Sequence, residues 1–379
     1  MAEAAPFVEC VDLSGAMGRI EPWRELCSRA LAGNVFAEPA FVINAARYLS
    51  DAPKLEFLFA WESGHPDRLI GVAAIAVRPV QGVAQVWQSE QAGLAALVVD
   101  SQSGETALSA ALAWLSEQRP SVIGLFTPTL DAKGPMFRLL EVLTQRQGGA
   151  VLQAHARDRA MLVAARDGVG FTSALSSRRL KEWRRLRRRL EERGARFASS
   201  EGAAAAGEPF ERFLALESKG WKGRSGAPLA ADPRRAAFAR ALASDMASQG
   251  RLRVDRLDLG EATIAAAIVL ASGDRAFYWK TAFDESLAEY SPGALLTIEL
   301  SERLQRDPAI AVTDSCAIEG HPMIDRLWAA RLSLVDCLVA VRPGQEARLR
   351  RWLAQRELLR RAKETAKTFL LPLIGRKLS

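Results

Sequence analysis

Residue types that do chemistry concentrate in three short stretches of the second half of this 379-residue chain. The first is Phe277-Tyr278-Trp279-Lys280-Thr281-Ala282-Phe283-Asp284. Strand side chains alternate sides, so Phe277, Trp279 and Phe283 are expected on one face and Tyr278, Lys280, Ala282 and Asp284 on the other. A phenol, an ammonium and a carboxylate on one face can hold a substrate oxygen or stabilise developing charge. The same face also suits a solvent-facing strand carrying a Lys–Asp pair. The second stretch, Ser291-Pro292-Gly293-Ala294-Leu295-Leu296, reads as a helix start. Proline suits a first helical turn and serine can cap its amides. The small residues let a ligand approach the backbone, where exposed N–H groups and the helix dipole favour a phosphate. The third stretch sets Thr313-Asp314-Ser315-Cys316 near His321. An acid at a strand end close to a histidine can act as a general base or orient one. A capping or packing histidine and a small buried cysteine are the plainer readings.

Glu217, Trp221, Lys222, Gly223 and Arg224 form a polar-aromatic segment after a predicted helix, suited to a lid or to a simple turn. No Gly-x-Ser-x-Gly elbow, Walker A, dinucleotide-binding or His-Glu-x-x-His pattern occurs, which removes the parts for serine-triad hydrolysis, nucleotide hydrolysis, nicotinamide redox and zinc catalysis. The four cysteines (Cys10, Cys27, Cys316, Cys337) lack Cys-x-x-Cys spacing, so neither a metal site nor a disulfide framework is expected.

Apolar residues make 49% and charged residues 25% of the chain, the balance of a globular protein rather than a disordered one. No apolar run approaches the roughly 18 residues of a membrane-spanning helix, and no basic segment precedes an apolar stretch at the start. A cytoplasmic protein is expected. The net charge of +7 sits largely in two segments, 178–196 and 342–377. In the first, Leu175, Leu180, Trp183, Leu186 and Leu190 recur at helical spacing, so the arginines lie on the solvated face of an amphipathic helix. Sequence-specific nucleic-acid binding is not expected, because no zinc-finger or RNP-type aromatic motif accompanies the charge. The second segment interleaves Leu349, Trp352, Leu353, Leu358, Leu359 and Phe369 with basic residues. It predicts an amphipathic helix breaking near Pro372, which packs on the body or touches an anionic membrane surface.

The elements that must position these residues read as the same series twice: helices, an antiparallel meander, a helix, a strand, a helix and a strand. In the first half, helices are expected at 22–32, 39–49, 105–118 and 134–147. Its strands are expected at 55–60, 69–77, 84–89, 94–98, 121–126, 150–156 and 160–165. In the second half, helices at 209–219, 232–249, 292–305 and 323–330 follow the basic helix. Strands there are expected at 252–259, 263–271, 276–284, 309–315 and 335–341, the first three joined by tight turns at Gly260 and Ser272-Gly273-Asp274. The fold class is α+β with a mixed sheet. The divisions are 1–168, 169–343 with its leading basic helix, and the C-terminal helix 344–379.

Gly220-Trp221-Lys222-Gly223-Arg224, Tyr278-Trp279-Lys280, Asp284, Tyr290-Ser291-Pro292-Gly293, Asp314-Ser315-Cys316-Ala317 and the run from His321 to Trp328 together resemble the CelD-type group of bacterial GNAT-superfamily acyltransferases, associated with cellulose biosynthesis. Phe36-Ala37-Glu38-Pro39-Ala40-Phe41 and the basic helix are similar to that group as well. The resemblance implies two tandem GNAT-like domains, laid out as in the FemAB-type aminoacyltransferases, with an acyl-CoA groove in the second. It places the pyrophosphate of acetyl-CoA, or of another acyl-CoA, on Ser291, Gly293, Ala294 and Leu295. The superfamily signature there is Gln/Arg-x-x-Gly-x-Gly/Ala; Tyr290 and Leu295 depart from it, which leaves longer acyl donors open. Asp314 is the first candidate for the base and His321 the second, with Lys280 or Tyr278 stabilising charge. Trp221, Lys222, Arg224 and Asp284 are candidates for contacting the acceptor, an amine or a sugar hydroxyl on a small molecule or saccharide. A non-catalytic scaffold at a membrane-bound polysaccharide synthase, and FemAB-like use of aminoacyl-tRNA, are the competing readings.

Overall fold

The computed structural model describes residues 6–49, 54–78, 82–165, 170–220 and 228–375. The first half runs β1 (Phe7–Val11), α1 (Leu13–Met17), α2 (Ile20–Ser28), α3 (Pro39–Tyr48), β2 (Glu56–Glu62), β3 (His65–Arg78), β4 (Val83–Val86), β5 (Leu97–Val99), α4 (Gly104–Gln118), β6 (Gly124–Asp131), α5 (Pro135–Arg146) and β7 (Leu152–Val163). The second runs α6 (Ser177–Glu192), β8 (Ala195–Glu201), α7 (Glu208–Lys219), α8 (Pro233–Ser248), β9 (Leu252–Leu259), β10 (Ala262–Ser272), β11 (Arg275–Phe283), α9 (Pro292–Arg306), β12 (Val312–Asp314) and β13 (Ala330–Ala340). A long helix, α10 (Glu346–Gly375), follows.

All thirteen strands join one mixed sheet, in the order β1-β2-β3-β4-β6-β13-β7-β12-β11-β10-β9-β8, with β5 added to β3. Each half contributes an antiparallel meander and one parallel pair, β4 with β6 and β11 with β12. A parallel pair needs a crossover, and α4 and α9 supply it. The final strands are exchanged: β13 of the second half lies against β6 of the first, and β7 of the first lies against β12 of the second. β7 and β13 then pair antiparallel at the centre. Hydrogen bonding therefore crosses the sequence division at 168, which itself falls outside the described residues.

Side chains cross the same seam. Phe36 meets Phe277 and Phe41 meets Phe238, in both cases edge-on, with ring centroids 5.2 and 5.4 Å apart, a favoured aromatic geometry. Glu38, buried, accepts from Ser272 Oγ and pairs with Arg251. The seam is tight at Gly33, where a Cβ would stand 2.0 Å from the Ser272 carbonyl oxygen, so no other residue fits. One apolar cluster thus covers the α3 and α8 side of both halves, and the second half's other face closes over α9.

Five elements depart from expectation. β1 and β8 are edge strands too weakly alternating to announce themselves. The two strands expected at 150–165 are one, because Arg157, Asp158 and Arg159, polar enough to suggest a turn, are paired to β13 throughout. The helix expected at 323–330 is a single 3-10 turn, Ile324–Arg326, after which β13 begins at Ala330. α10 continues through Pro372 to Gly375, past the expected break. α6 carries its arginines outward as expected, over buried Leu186 and Leu190. Glutamates offset several of them: Glu182 holds Arg185 at 2.7 Å and Glu191 holds Arg187 at 2.8 Å.

Candidate functional site

β11 and β12 pair only from Arg275–Phe277 to Val312–Asp314. β12 then stops while β11 continues to Phe283, so the sheet opens beyond Phe277. From Phe283 the chain makes a 3-10 turn, Glu285–Tyr290, capped by Asp284, whose carboxylate accepts from the Ser286 amide at 2.9 Å and its hydroxyl at 2.6 Å. Ser291 then takes the left-handed conformation (φ 50°) and Pro292 opens α9. The Ser291 side chain makes no cap, contrary to the expected serine cap. The amides of Gly293 and Ala294 consequently have no bonding partner among the described residues, and no acidic residue stands in the first turn. Leu295 departs from its expected role: its amide donates to Ser291 O at 3.1 Å and its side chain is buried beneath the helix.

This helix start faces a cavity of about 700 Å³. Ser291, Gly293 and Ala294 form one wall; Leu216, Ala282, Phe283, Ile318 and Met323 give it an apolar interior. Among the described residues its titratable groups are Glu217, Glu285 and His321. Glu217, 2% exposed, accepts from the Leu229 amide at 2.8 Å. His321 Nδ1 accepts from the amides of Met323 and Ile324 at 3.3 and 3.4 Å. That arrangement puts the proton of a neutral imidazole on Nε2.

Of the residues singled out in the sequence, Glu217, Ser291, Gly293, Ala294 and His321 meet at this cavity. Tyr278 does not line it. Its hydroxyl is buried against Thr297 Oγ1 at 2.9 Å, and burial raises its pKa above the ordinary value. Thr297 Oγ1 donates in turn to Gly293 O at 2.8 Å, and Trp328 Nε1 to Ser301 Oγ at 2.8 Å, one turn along. This ladder seats α9 on β11. Lys280 is also placed elsewhere. A one-residue bulge opposite Ile268 and Val269 interrupts alternation at Trp279. Lys280 therefore joins Trp279, and the two reach Gln91 of the first half, Nζ to Oε1 at 2.7 Å and Nε1 to the carbonyl at 2.8 Å. The bulge also brings Phe283 onto the Tyr278 side, in the cluster beneath α9. The polar face expected of Tyr278, Lys280, Ala282 and Asp284 is thus dispersed.

Asp314 is likewise withdrawn from the cavity. Only 3% exposed, it is ion-paired to Arg159 of β7, and its second oxygen accepts from the Cys316 amide at 2.9 Å. Both oxygens are engaged, so its place is structural. Burial, reinforced by Asp314, pushes the Cys316 thiol well above its ordinary pKa, leaving little thiolate for nucleophilic attack. Trp221, Lys222 and Arg224 lie outside the described residues. Tyr290, at the signature's Gln/Arg position, turns away from the cavity: its hydroxyl accepts from Arg193 at 2.9 Å, and the Arg189 guanidinium stacks over its ring at 4.7 Å. The partners that sequence reasoning missed, Gln91 and Arg159, come from the first half, where no local pattern marks them.

Residues 177–316 match the family described as Acetyltransferase (GNAT) domain. This stretch carries α6 to β12 and so most of the cavity. The comparison with curated proteins found no match. Among solved structures, the chain is similar to FemX, with 9% identity and a TM-score of 0.52 over 84% of this chain and 95% of that one. It is also similar to the C-terminal domain (DUF2156) of a putative lysylphosphatidylglycerol synthetase from Agrobacterium fabrum. There the identity is 11% and the TM-score 0.52, over 89% of this chain and 96% of that one. The fold is a tandem pair of GNAT-like halves on one mixed sheet, followed by a basic helix.

Proposed function

We propose that the chain is an acyl-CoA-dependent acyltransferase of the GNAT type, transferring an acyl group, acetyl foremost, to an amine or a sugar hydroxyl. The observation that carries this reading is the uncapped start of α9 opening into an apolar-walled cavity beside the parted strands. The Gly293 and Ala294 amides suit a phosphate of the donor, and the Leu216, Phe283, Ile318 and Met323 wall suits an acyl chain and the arm that bears it. Because Asp314 is tied to Arg159, the base is assigned to Glu217, the buried carboxylate on the same cavity. The His321 Nε2–H is assigned to the thioester carbonyl oxygen, where negative charge develops. The acceptor's N or O bonds to the carbonyl carbon, the C–S bond breaks, and the proton accepted by Glu217 neutralises the departing thiolate. Much of the rate in such a site comes from holding both reactants together.

The resemblance to the CelD-type group points to an exopolysaccharide or cell-envelope saccharide as acceptor. Exposed Leu358 and Leu359 among the basic residues of α10 suit peripheral contact with an anionic membrane. A second reading, FemAB-like transfer from aminoacyl-tRNA, is favoured by the fold likeness to FemX. Against it, glutamates of α6 already pair with Arg185, Arg187 and Arg188.

Thermal unfolding with acetyl-CoA, longer acyl-CoAs and free CoA tests the proposal. A ligand at a hundredfold excess over Kd adds about 2.7 kcal/mol. A saturable shift with acyl-CoA that Ala294→Glu removes supports the donor site. No shift with any acyl-CoA discards it, and steeply salt-dependent tRNA binding would then favour the second reading.

A further inference from the structure

A second cavity, of about 750 Å³, lies in the first half where β4 has ended and β6 runs on beside β13 and β7, roofed by α10. Asp336 of β13, 7% exposed, stands at its base. Two bulges flank it: β6 has one extra residue near Thr129, and β7 has one near His155. Each places a non-glycine residue in the left-handed region, Thr129 at φ 48° and His155 at φ 49°. A β-branched residue rarely adopts that conformation, and such strain gathers at functional sites.

The strained residues converge on charge. The Thr129 amide donates to Asp336 Oδ1 at 3.0 Å. Arg157 donates to the same oxygen at 3.2 Å and to His155 O at 2.7 Å, and its other nitrogen donates to the Thr129 hydroxyl. That hydroxyl donates onward to Gln88 Oε1 at 2.9 Å. Leu349 and Leu353 dock the start of α10 in an apolar cluster, as expected. Further along, Leu358 is 69% exposed, and Leu359, 64% exposed, lines the cavity together with Arg356, Arg360 and Lys363. Arg356 lies over the Phe126 ring at 4.3 Å. Arg157, Arg356, Arg360 and Lys363 line the space with Asp336, and Glu357 of α10 pairs with Arg360 at 3.0 Å, so four cations stand against two carboxylates. A cavity whose lining carries this excess of cationic side chains suits an anion.

We infer that this cavity is a second ligand site, separate from the cavity at α9, which takes a small phosphorylated molecule bearing hydroxyl groups. Arg356, Arg360 and Lys363 hold the phosphate from above. Asp336 and His155 receive hydroxyls below. Thr129 and Arg157 position Asp336 and do not themselves need to touch the ligand. The site does not depend on the donor proposal, since none of its residues belongs to the α9 cavity.

Calorimetric titration of the full chain with inorganic pyrophosphate, glucose 6-phosphate and glucose tests this. The expected result is saturable binding of both phosphates, at least tenfold weaker binding of glucose, and a loss of at least tenfold in Arg360→Gln/Lys363→Gln. Both substitutions lie on an outer helix, so the fold is retained. Ala294→Glu, at the other cavity, leaves glucose 6-phosphate binding unchanged. Binding that Ala294→Glu removes and Arg360→Gln/Lys363→Gln spares would overturn the inference by assigning the phosphate to α9. Absence of binding by either phosphate overturns it as well, including where phosphatidylserine vesicles still bind the chain, because the cations then serve a surface and not a cavity.

Discussion

α4 and α9 begin at corresponding places in the two halves, each crossing between a parallel pair of strands, yet their first turns carry opposite electrostatics. Asp100, 1% exposed, accepts from the amides of Gln102 and Ser103 at 2.7 and 2.9 Å just before α4, and Glu105 stands in its first turn. The hollow beside it, about 300 Å³, is lined by both carboxylates. The positive end of that helix dipole is supplied with anions by the chain itself. At α9 neither device is present, and the same physical feature faces a larger cavity with its amides uncommitted. One half sets carboxylates of its own beside the helix start, and the other has kept that start open for a ligand.

The largest expected effect lies at the seam that holds the halves in register. Asp314→Ala leaves Arg159 charged and buried without its partner, which costs about 3–5 kcal/mol; denaturant unfolding measures it. If Asp314 were the base instead, Asp314→Asn would fold as stably as the wild type and lose turnover. That pair of results would move the chemistry out of the α9 cavity and undo the assignment to Glu217.

Ala294→Glu gives α9 the acidic first turn that α4 already has. Stability is expected to hold or rise by a few tenths of a kcal/mol. Acyl-CoA affinity is expected to fall at least tenfold, roughly 1.4 kcal/mol. Unchanged affinity in a calorimetric titration would mean that the donor does not use this helix start. The reciprocal change is smaller. Asp100→Asn removes the charge that holds the turn before α4 and pairs with Arg29 and Arg68, at a cost of about 1–2 kcal/mol. It does not open a second donor site, because Glu105 remains and the hollow is small. A stoichiometry of two acyl-CoA per chain in this variant would show that the halves differ only in their caps.

The residues that were legible in the sequence are those whose role is local. Ser-Pro-Gly before an apolar helical stripe announces the start of α9, and the paired leucines of α6 announce its buried face. Residues whose role depends on the partner strand were not legible. Asp314 reads as an exposed acid at a strand end, until β7 from the other half brings Arg159 against it. The strand exchange that does so has no signature in either half alone. Lys280 was misplaced for a different reason: alternation has period two, and a single bulged residue at Trp279 inverts everything after it. The α10 roof shows the same limit. Its leucines and arginines interleave at helical spacing, but which of them dock on the apolar cluster and which line the cavity is decided by the strands beneath.

How the two helices are seated differs as well, and this gives the finest test. α4 rests on bare backbone: a Cβ on Gly71 of β3 would come within 2.8 Å of the Ala107 Cβ. α9 is held by hydroxyls, with Tyr278 at the bottom of the ladder. Tyr278→Phe removes one buried hydrogen bond while Thr297 keeps its bond to Gly293 O, so the cost is about 0.5–1.5 kcal/mol. Because that remaining bond still fixes the first turn, acyl-CoA affinity is expected to change less than about threefold, under 0.7 kcal/mol. Turnover should follow affinity. A fall in kcat of a hundredfold or more, with stability and donor affinity kept, would instead make the Tyr278 phenol a participant in proton transfer. Its raised pKa would then need explaining as an acid held in reserve rather than as a consequence of burial.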